Sequence, residues 1–289
     1  MKILNGAEIA GYMKANQAHQ VKSLRSRKVR PKLVIIRDSD APVIAKYVHL
    51  KQCYGEDIGV QVEDWLRSDV ATAIAEANSN PSVHGMIVQL PLQNMDNIDE
   101  ILQNIDPAKD VDGLATDIHH MNNAKNNYSS GDILPKASEP VFESATATAI
   151  NWLLAGYDIT LDRIKIALVG HGRLIGKPLE RMWTNSGYDV TTFGRKNDLA
   201  ELRHYDLIVS ATGQPHLIKD AMVKPGAVII DAGTASEGGV LVGDVDNSVR
   251  NRKDLTAITP KIGGVGPLTV TTLFEHVLMA ANKIAEQRN

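Results

Sequence analysis

Tyr47 and Lys51 stand four residues apart in a stretch, Ala41 to Gly55, whose pattern predicts a helix, so the ring and the ammonium group share one face. A lysine held against a ligand can accept or deliver a proton, and an aromatic face can stack on another ring. Alone, the pair reads as an ordinary surface lysine beside a core ring. Three further segments add chemistry. In Gly85-Met86-Ile87-Val88-Gln89-Leu90-Pro91-Leu92 a buried strand runs into Gln89 and a turn limited by Pro91, which places a polar amide at a strand C-terminus. Pro107-Ala108-Lys109-Asp110-Val111-Asp112-Gly113 puts two acids on a tight turn, without the D-x-D-x-D spacing of a calcium loop. Thr259-Pro260-Lys261-Ile262-Gly263-Gly264-Val265-Gly266-Pro267-Leu268-Thr269 is a rigid loop at the start of the last helix. Its glycines and prolines, Gly264 and Pro267 among them, suit close backbone contact with a ligand.

The second half carries a phosphate-binding pattern. A strand, Ile166 to Val169, enters Gly170-His171-Gly172-Arg173-Leu174-Ile175-Gly176 and then a helix. Glycine permits a tight turn and close backbone approach to a pyrophosphate, and the helix start offers free N–H groups and the positive end of its dipole. The spacing G-x-G-x-x-x-G is one residue longer than the common fingerprint. After the next strand, Asp189 to Phe193, the acid that would hold the ribose hydroxyls of NAD is replaced by Gly194-Arg195-Lys196-Asn197. Arg195 and Lys196 suit a 2′-phosphate and so favour NADP; a shifted loop bringing Asn197 or Asp198 into that position keeps NAD open. Two more turns, Ala211-Thr212-Gly213 and Asp231-Ala232-Gly233, follow strands and outline the same crevice.

These groups need a scaffold. Short, nearly continuous apolar runs at Leu33–Ile36, Met86–Val88, Lys165–Val169, Leu207–Val209 and Val228–Ile230 read as parallel strands buried on both faces. Helical patterns at Ala41–Gly55, Val70–Asn80, Thr146–Ala155 and Ile175–Ser186 lie between them. Alternating strands and helices predict an α/β protein of two domains with parallel sheets and a cleft between them, the second domain Rossmann-like. The polar stretch Asn122 to Glu139 is the expected boundary. It divides a catalytic domain over residues 1–140 from a dinucleotide domain over 141–267, with the C-terminal helix, 268–289, returning to the first.

Composition narrows the function. The 289 residues include 31 basic and 34 acidic side chains, for a net charge of −3 without a block of like charge, so no nucleic-acid footprint exists. No uncharged apolar run approaches the ~20 residues needed to span a bilayer, and the start has no signal core, so no membrane role and a cytoplasmic location are expected. The single cysteine, Cys53, excludes an intrachain disulfide and reads as a packed small side chain. Cys and His do not cluster at zinc-ligand spacing, so no metal is expected.

Taken in order, these segments resemble the methylenetetrahydrofolate dehydrogenase/cyclohydrolase family over nearly the whole chain. The carriers are Tyr47-Val48 with Lys51, Val88-Gln89-Leu90-Pro91-Leu92, Lys109-Asp110-Val111-Asp112-Gly113, Gly176-Lys177-Pro178, Gly243-Asp244-Val245 and Gly263-Gly264-Val265-Gly266-Pro267. The resemblance implies that Lys51 is the catalytic lysine, Gln89 its hydrogen-bonded partner, Tyr47 the ring that stacks on the aminobenzoyl group, and Asp112 the acid that reads the pterin edge. It further implies a tetrahydrofolate substrate, NADP as cofactor, two successive activities and a homodimer. Alternatives are a dehydrogenase with weak cyclohydrolase activity and a non-catalytic folate- or nucleotide-binding regulator. Departures from the family pattern fall at Ile44 (usually serine), Ser144-Ala145-Thr146-Ala147 (Pro-Cys-Thr-Pro) and Gly170-His171-Gly172 (Gly-Arg-Ser). Others are Gly194-Arg195 (His-Ser), Pro260-Lys261-Ile262 (Pro-Val-Pro), and Ala115 and Ile118 (histidine and asparagine).

Overall fold

Leu33, Val34, Ile35 and Ile36 are completely buried, and the strand that contains them, β2 (Lys32–Arg37), is the centre of a three-stranded parallel sheet. With β1 assigned to Lys2–Ile3, the neighbours of β2 are β3 (Gln61–Leu66) and β4 (Gly85–Val88), paired through Val34↔Glu63 and Val34↔Met86. Central burial on both faces explains the continuous apolar run of β2. The computed structural model describes residues 1–115, 142–237 and 240–287. The expected boundary loop at Asn122–Glu139 and the departure at Ile118 lie outside them.

Contact density separates two compact units. One comprises residues 11–115, 142–145 and 270–287; the other comprises Met1–Ala10 and Thr146–Thr269. The first holds the three-stranded sheet, with most of α1 (Gly6–Ser26), then α2 (Pro42–Ile58) and α3 (Val70–Ser79). The second part of the last long helix, which runs from Val265 to Gln287, belongs to it from Val270 onward. Pro42 starts α2 where its missing N–H costs nothing, and Gly59, at φ +86°, ends it by donating its N–H to Gly55 O at 2.8 Å. Asp69 caps α3 by accepting the Thr72 N–H at 3.0 Å.

β3 has no counterpart among the strands expected from sequence. It is an edge strand, so Glu63 and Asp64 interrupt its apolar pattern. Both acids are used laterally: Lys32 reaches Glu63 at 2.6 Å, and Arg37 grips Asp64 through two bonds of 2.8 and 2.9 Å. Those bonds, with a third to Asp40, push the Arg37 pKa still higher, so the cation is permanent.

The second unit is built on a six-stranded parallel sheet in the order β1-β11-β8-β7-β5-β6. Its members beyond β1 are β5 (Lys165–Val169), β6 (Asp189–Phe193), β7 (Leu207–Ser210), β8 (Val228–Asp231) and β11 (Ala257–Ile258). An antiparallel pair, β9 (Ala235–Glu237) and β10 (Val240–Val242), intervenes in sequence. The chain leaves β5 outward to β6 and returns to β7 on the other side of β5. That reversal is the topological switch point at which open α/β sheets bind ligands, outside the strand C-termini. Ala167, Val169, Phe193, Ile208 and Ile229 pack one face of this sheet. The α/β class with parallel sheets is therefore as the sequence predicts.

Candidate active site

Lys51 projects from α2 and Gln89 stands one residue beyond the end of β4, its N–H continuing the ladder to Ile36 O at 2.8 Å. The Lys51 Nζ donates to Gln89 Oε1 at 2.8 Å. The amide cannot turn round freely, because Gln89 Nε2 donates to Leu90 O at 3.1 Å. Its oxygen is thereby aimed at the lysine. Tyr47 lies one turn before Lys51 and is half-buried; Lys46 is exposed.

α2 is held in register by polar contacts on the buried side of its last turns. The Tyr54 hydroxyl donates to Gln17 Oε1 at 2.8 Å and lies 3.1 Å from Thr271 Oγ1, while Gln17 Nε2 donates to Thr271 O and Glu275 Oε2, both at 2.9 Å. Burial pushes the Tyr54 phenol up to about 12, so it stays a donor at any working pH. A Cβ on Gly55 would come within 2.4 Å of Val62. The helix therefore crosses the sheet closely just after the lysine.

The acid-bearing turn is clamped at three consecutive residues. Lys109 Nζ donates to the carbonyls of Ala77, Asn78 and Asn80, at 2.9, 2.7 and 2.9 Å, which closes the end of α3. Asp110 accepts the N–H groups of Leu114 and Ala115 at 2.9 and 2.6 Å. Val111 O accepts from His276 Nδ1 at 2.8 Å, and that imidazole stacks on Phe142. Burial holds His276 down at about 4, so it is the neutral tautomer that donates. Lys109, Asp110 and His276 thus shape the turn, while Asp112 accepts a hydrogen bond from the Ala145 N–H. The sequence offered no sign of His276, which lies 165 residues from Val111.

Asp112 and Lys51 are close enough for their charges to interact. Burial lowers the lysine's proton affinity, and Asp112 offsets part of that shift. Burial pushes Asp112 up to about 7, against the pull of Lys51 and with a further push from Asp110. An amine of lowered proton affinity, an amide oxygen and a carboxyl raised to about 7 are chemically suited to handling protons.

The raised Asp112 carboxyl has a measurable consequence. An acid whose folded-state pKa exceeds its unfolded 3.8 costs stability once ionised: the cost is absent below that value and complete above about 7. Asp112→Asn is expected to raise the unfolding temperature by about 2–4 °C at alkaline pH and to change it little near pH 4. Thermal melts of both proteins across that range check the sign, and a difference independent of pH would contradict it.

In the other unit, Gly170 turns the chain after β5 at φ +97°, a conformation that disfavours any side chain. A Cβ there would meet Ala211 O at 2.6 Å, so the turn after β5 presses on the turn after β7. Gly176 opens the next helix, α6 if α4 is Ile98–Leu102 and α5 is Ala145–Gly156. This α6 (Gly176–Asn185) begins without a side-chain cap, and Gly172 has open space where its Cβ would be. The Lys177 N–H bonds to Gly172 O at 3.1 Å and Pro178 has no N–H, so what fits a pyrophosphate here is mainly the glycine cradle at a strand C-terminus beside the positive end of the helix dipole. Arg173, Leu174 and Ile175 complete the turn; Thr212, Gly213 and Gly233 lie at the ends of β7 and β8.

Arg195 and Lys196 are exposed beyond the end of β6. Asn197 and Asp198 have local work instead: Asn197 Oδ1 accepts the Gly194 N–H at 2.8 Å, and Asp198 accepts the Ala200 N–H at 2.9 Å. One oxygen of each side chain is thereby committed within its own loop. Glu180, unremarked in the sequence, bridges His171 Nε2 at 2.5 Å and Thr192 Oγ1 at 2.8 Å.

Family models match both halves: the catalytic domain of tetrahydrofolate dehydrogenase/cyclohydrolase over residues 4–112 and its NAD(P)-binding domain over residues 144–285. The chain belongs to the tetrahydrofolate dehydrogenase/cyclohydrolase family. A relative in Hydrogenobaculum sp., bifunctional protein FolD, is 37% identical over 97% of this chain and 98% of its own. Among solved structures, the bifunctional FolD of Campylobacter jejuni has a TM-score of 0.87 at 29% identity, covering 98% of this chain and 99% of that one. The Trypanosoma brucei dehydrogenase-cyclohydrolase, solved with NADP and an inhibitor, has a TM-score of 0.85 at 27% identity, covering 98% and 97%.

Two departures from the family's pattern have a structural reading. Ile44, where the family has serine, is buried in α2 and joins the core. Ala145 and Ala147 are completely buried at the start of α5, where small apolar side chains fit. Cys53, expected to pack, is exposed instead, with Sγ 3.5 Å from His49 Nε2. Its place on the outer face of α2 follows from the helix's period, which buries Ile44, Val48 and Gly55. Among the described residues, no helix is long and apolar enough to cross a membrane, and no three His, Cys, Asp or Glu side chains converge as metal ligands.

Proposed function

We propose that this member of the family oxidises 5,10-methylene-tetrahydrofolate with NADP and then hydrolyses the methenyl product to 10-formyl-tetrahydrofolate. The observation that carries the reading is the 2.8 Å contact of Lys51 Nζ with Gln89 Oε1, in electrostatic reach of Asp112. Tyr47 stacks on the aminobenzoyl ring and Asp112 reads the pterin edge, with Leu90, Pro91, Gly264 and Pro267 as backbone and packing contacts to the folate. Gly170, Gly172, Arg173, Leu174, Ile175 and Gly176 receive the dinucleotide's pyrophosphate, and Arg195 its 2′-phosphate. Ala211, Thr212, Gly213 and Gly233 line the crevice. NADP, when bound, supplies the hydride acceptor.

In the first step the C–H bond of the one-carbon bridge breaks, and hydrogen leaves with both electrons; the folate nitrogens stabilise the methenyl cation. This chain's part is orientation. In the second step water adds to the methenyl carbon, Lys51 takes up one water proton, and the ring C–N bond breaks as the remaining hydroxyl proton is transferred to nitrogen. The balance is one water consumed and one proton released. Gln89 aims the amine throughout. By the family resemblance the protein works as a cytoplasmic homodimer.

Single-turnover absorbance of purified protein tests the reading. A reduced-nicotinamide signal is expected only when methylene-tetrahydrofolate and NADP are both present, followed by loss of the methenyl absorbance. No reduction with NADP or NAD would favour a non-catalytic binding protein, and a methenyl product that persists would leave a dehydrogenase alone.

A further inference from the structure

At the C-terminal ends of β7 and β8, two carboxylates tie together turns that are distant in sequence. Asp244 is completely buried. Its Oδ2 accepts three hydrogen bonds, from Ser210 Oγ at 2.7 Å, Thr212 N at 2.7 Å and Thr212 Oγ1 at 2.9 Å. Thr212 Oγ1 itself accepts the Gln214 N–H at 3.1 Å, so its own proton is available to point at the acid. A donor set of that kind suits an ionised oxygen. Its other oxygen, Oδ1, is buried with no hydrogen-bond partner among the described residues, and it lies where a Cβ on Gly233 would be, 2.0 Å away.

Asp231, the last residue of β8, is the second acid. It accepts the N–H groups of Gly233, Asp244 and Val245 at 3.2, 3.0 and 3.1 Å, and it pairs with Arg250. Arg250 is held in turn by Thr259 O at 2.9 Å. The cation thus pairs with Asp231 alone, and no ion pair to Asp244 occurs among the described residues. A buried carboxylate with an unused oxygen is costly and tends to persist where function requires it.

We infer that Asp244 is a positioning residue for the dinucleotide and that its uncompensated charge makes this crevice prefer the oxidised, cationic nicotinamide over the reduced, neutral one. The inference rests on the dinucleotide reading above and deepens it. Asp244 fixes Thr212 directly and bounds Gly233 sterically, so the two turns after β7 and β8 take their shape from one side chain. Ala211 O, adjoining Thr212, is the atom that forbids a side chain on Gly170. The shape is thereby passed to the pyrophosphate turn. The pyrophosphate turn and Arg195 occupy the β5–β6 half, so the nicotinamide half falls to β7 and β8, on the other side of the switch point. A fixed negative charge there attracts a cationic ring and is indifferent to a neutral one.

Asp244→Asn keeps the shape and removes the charge. Dissociation constants for NADP and NADPH, measured by calorimetry in wild type and variant, provide a readout independent of turnover. The ratio of the NADPH to the NADP constant is expected to fall about fivefold in the variant, the size of a typical coupling between a charge and a ligand. An unchanged ratio, with or without a common loss of affinity, overturns the electrostatic inference. Thr212→Val withdraws one donor while keeping the carboxylate, and it applies should Asp244→Asn fail to fold. It is expected to weaken both forms by the same factor of about three, and undiminished affinity overturns the positioning role. A wild-type protein that binds neither form would instead defeat the dinucleotide reading itself, and this inference with it.

Discussion

Lys51→Ala is expected to abolish methenyl hydrolysis, a loss of about 10²–10⁴-fold in rate, while tetrahydrofolate binding stays nearly intact. The amine is the group whose proton affinity the site tunes: burial lowers it, and Gln89 Oε1 holds it at 2.8 Å. On the proposed reading, alanine removes the proton acceptor and leaves Tyr47 and Asp112 to bind the substrate. Stopped-flow decay of methenyl absorbance in wild type and variant measures the effect, with equilibrium binding of a folate analogue as the control. Hydrolysis at the wild-type rate would remove Lys51 from the reaction. Lost binding with an unchanged rate at saturation would make it a substrate anchor only. Gln89→Ala frees the same amine without deleting it, so a smaller loss is expected there.

A comparably large effect is expected from a single methyl group in the dinucleotide unit. Gly176 is buried at the first position of α6, and a Cβ there would lie 2.1 Å from Gly170 O and 2.8 Å from His171 Cα. Both atoms are backbone, so no side chain can swing aside. Gly176→Ala must lift the helix start off the phosphate turn, at a cost of about 1–3 kcal/mol in stability. On the proposed reading the turn receives the pyrophosphate, and by analogy with the cost of misplacing reacting groups a displacement near 1 Å is expected to lower NADP affinity by up to about 100-fold. Calorimetric titration with NADP, beside a thermal melt, reads both quantities. Native affinity in Gly176→Ala would show that close packing of α6 on Gly170 is dispensable for binding.

The elements legible in the sequence are those whose environment leaves a local mark. β2 is buried on both faces and therefore reads as Leu33-Val34-Ile35-Ile36 without interruption. Gly170 and Gly176 mark a turn because no other residue fits the backbone there. β3 left no such mark. At a sheet edge its acids find partners to the side, and charge replaces the apolar alternation. Cys53 departs from the expected packed position for a related reason: cysteine is a core residue on average, whereas position on α2 decides the individual case.

The order of motifs along the chain determined the α/β class, the family, and Lys51, Gln89 and Asp112 as the groups to watch, because each motif is a contiguous answer to a local backbone demand. Tertiary structure decided what those groups experience. Lys51 meets Gln89 across 38 residues, Asp244 meets Thr212 across 32, and His276 meets Val111 across 165. The lowered amine, the raised carboxyl and the lone buried oxygen of Asp244 all arise from exclusion of water and from neighbours brought in by the fold. Desolvation is a property of the packed surroundings, and no spacing along a chain encodes it.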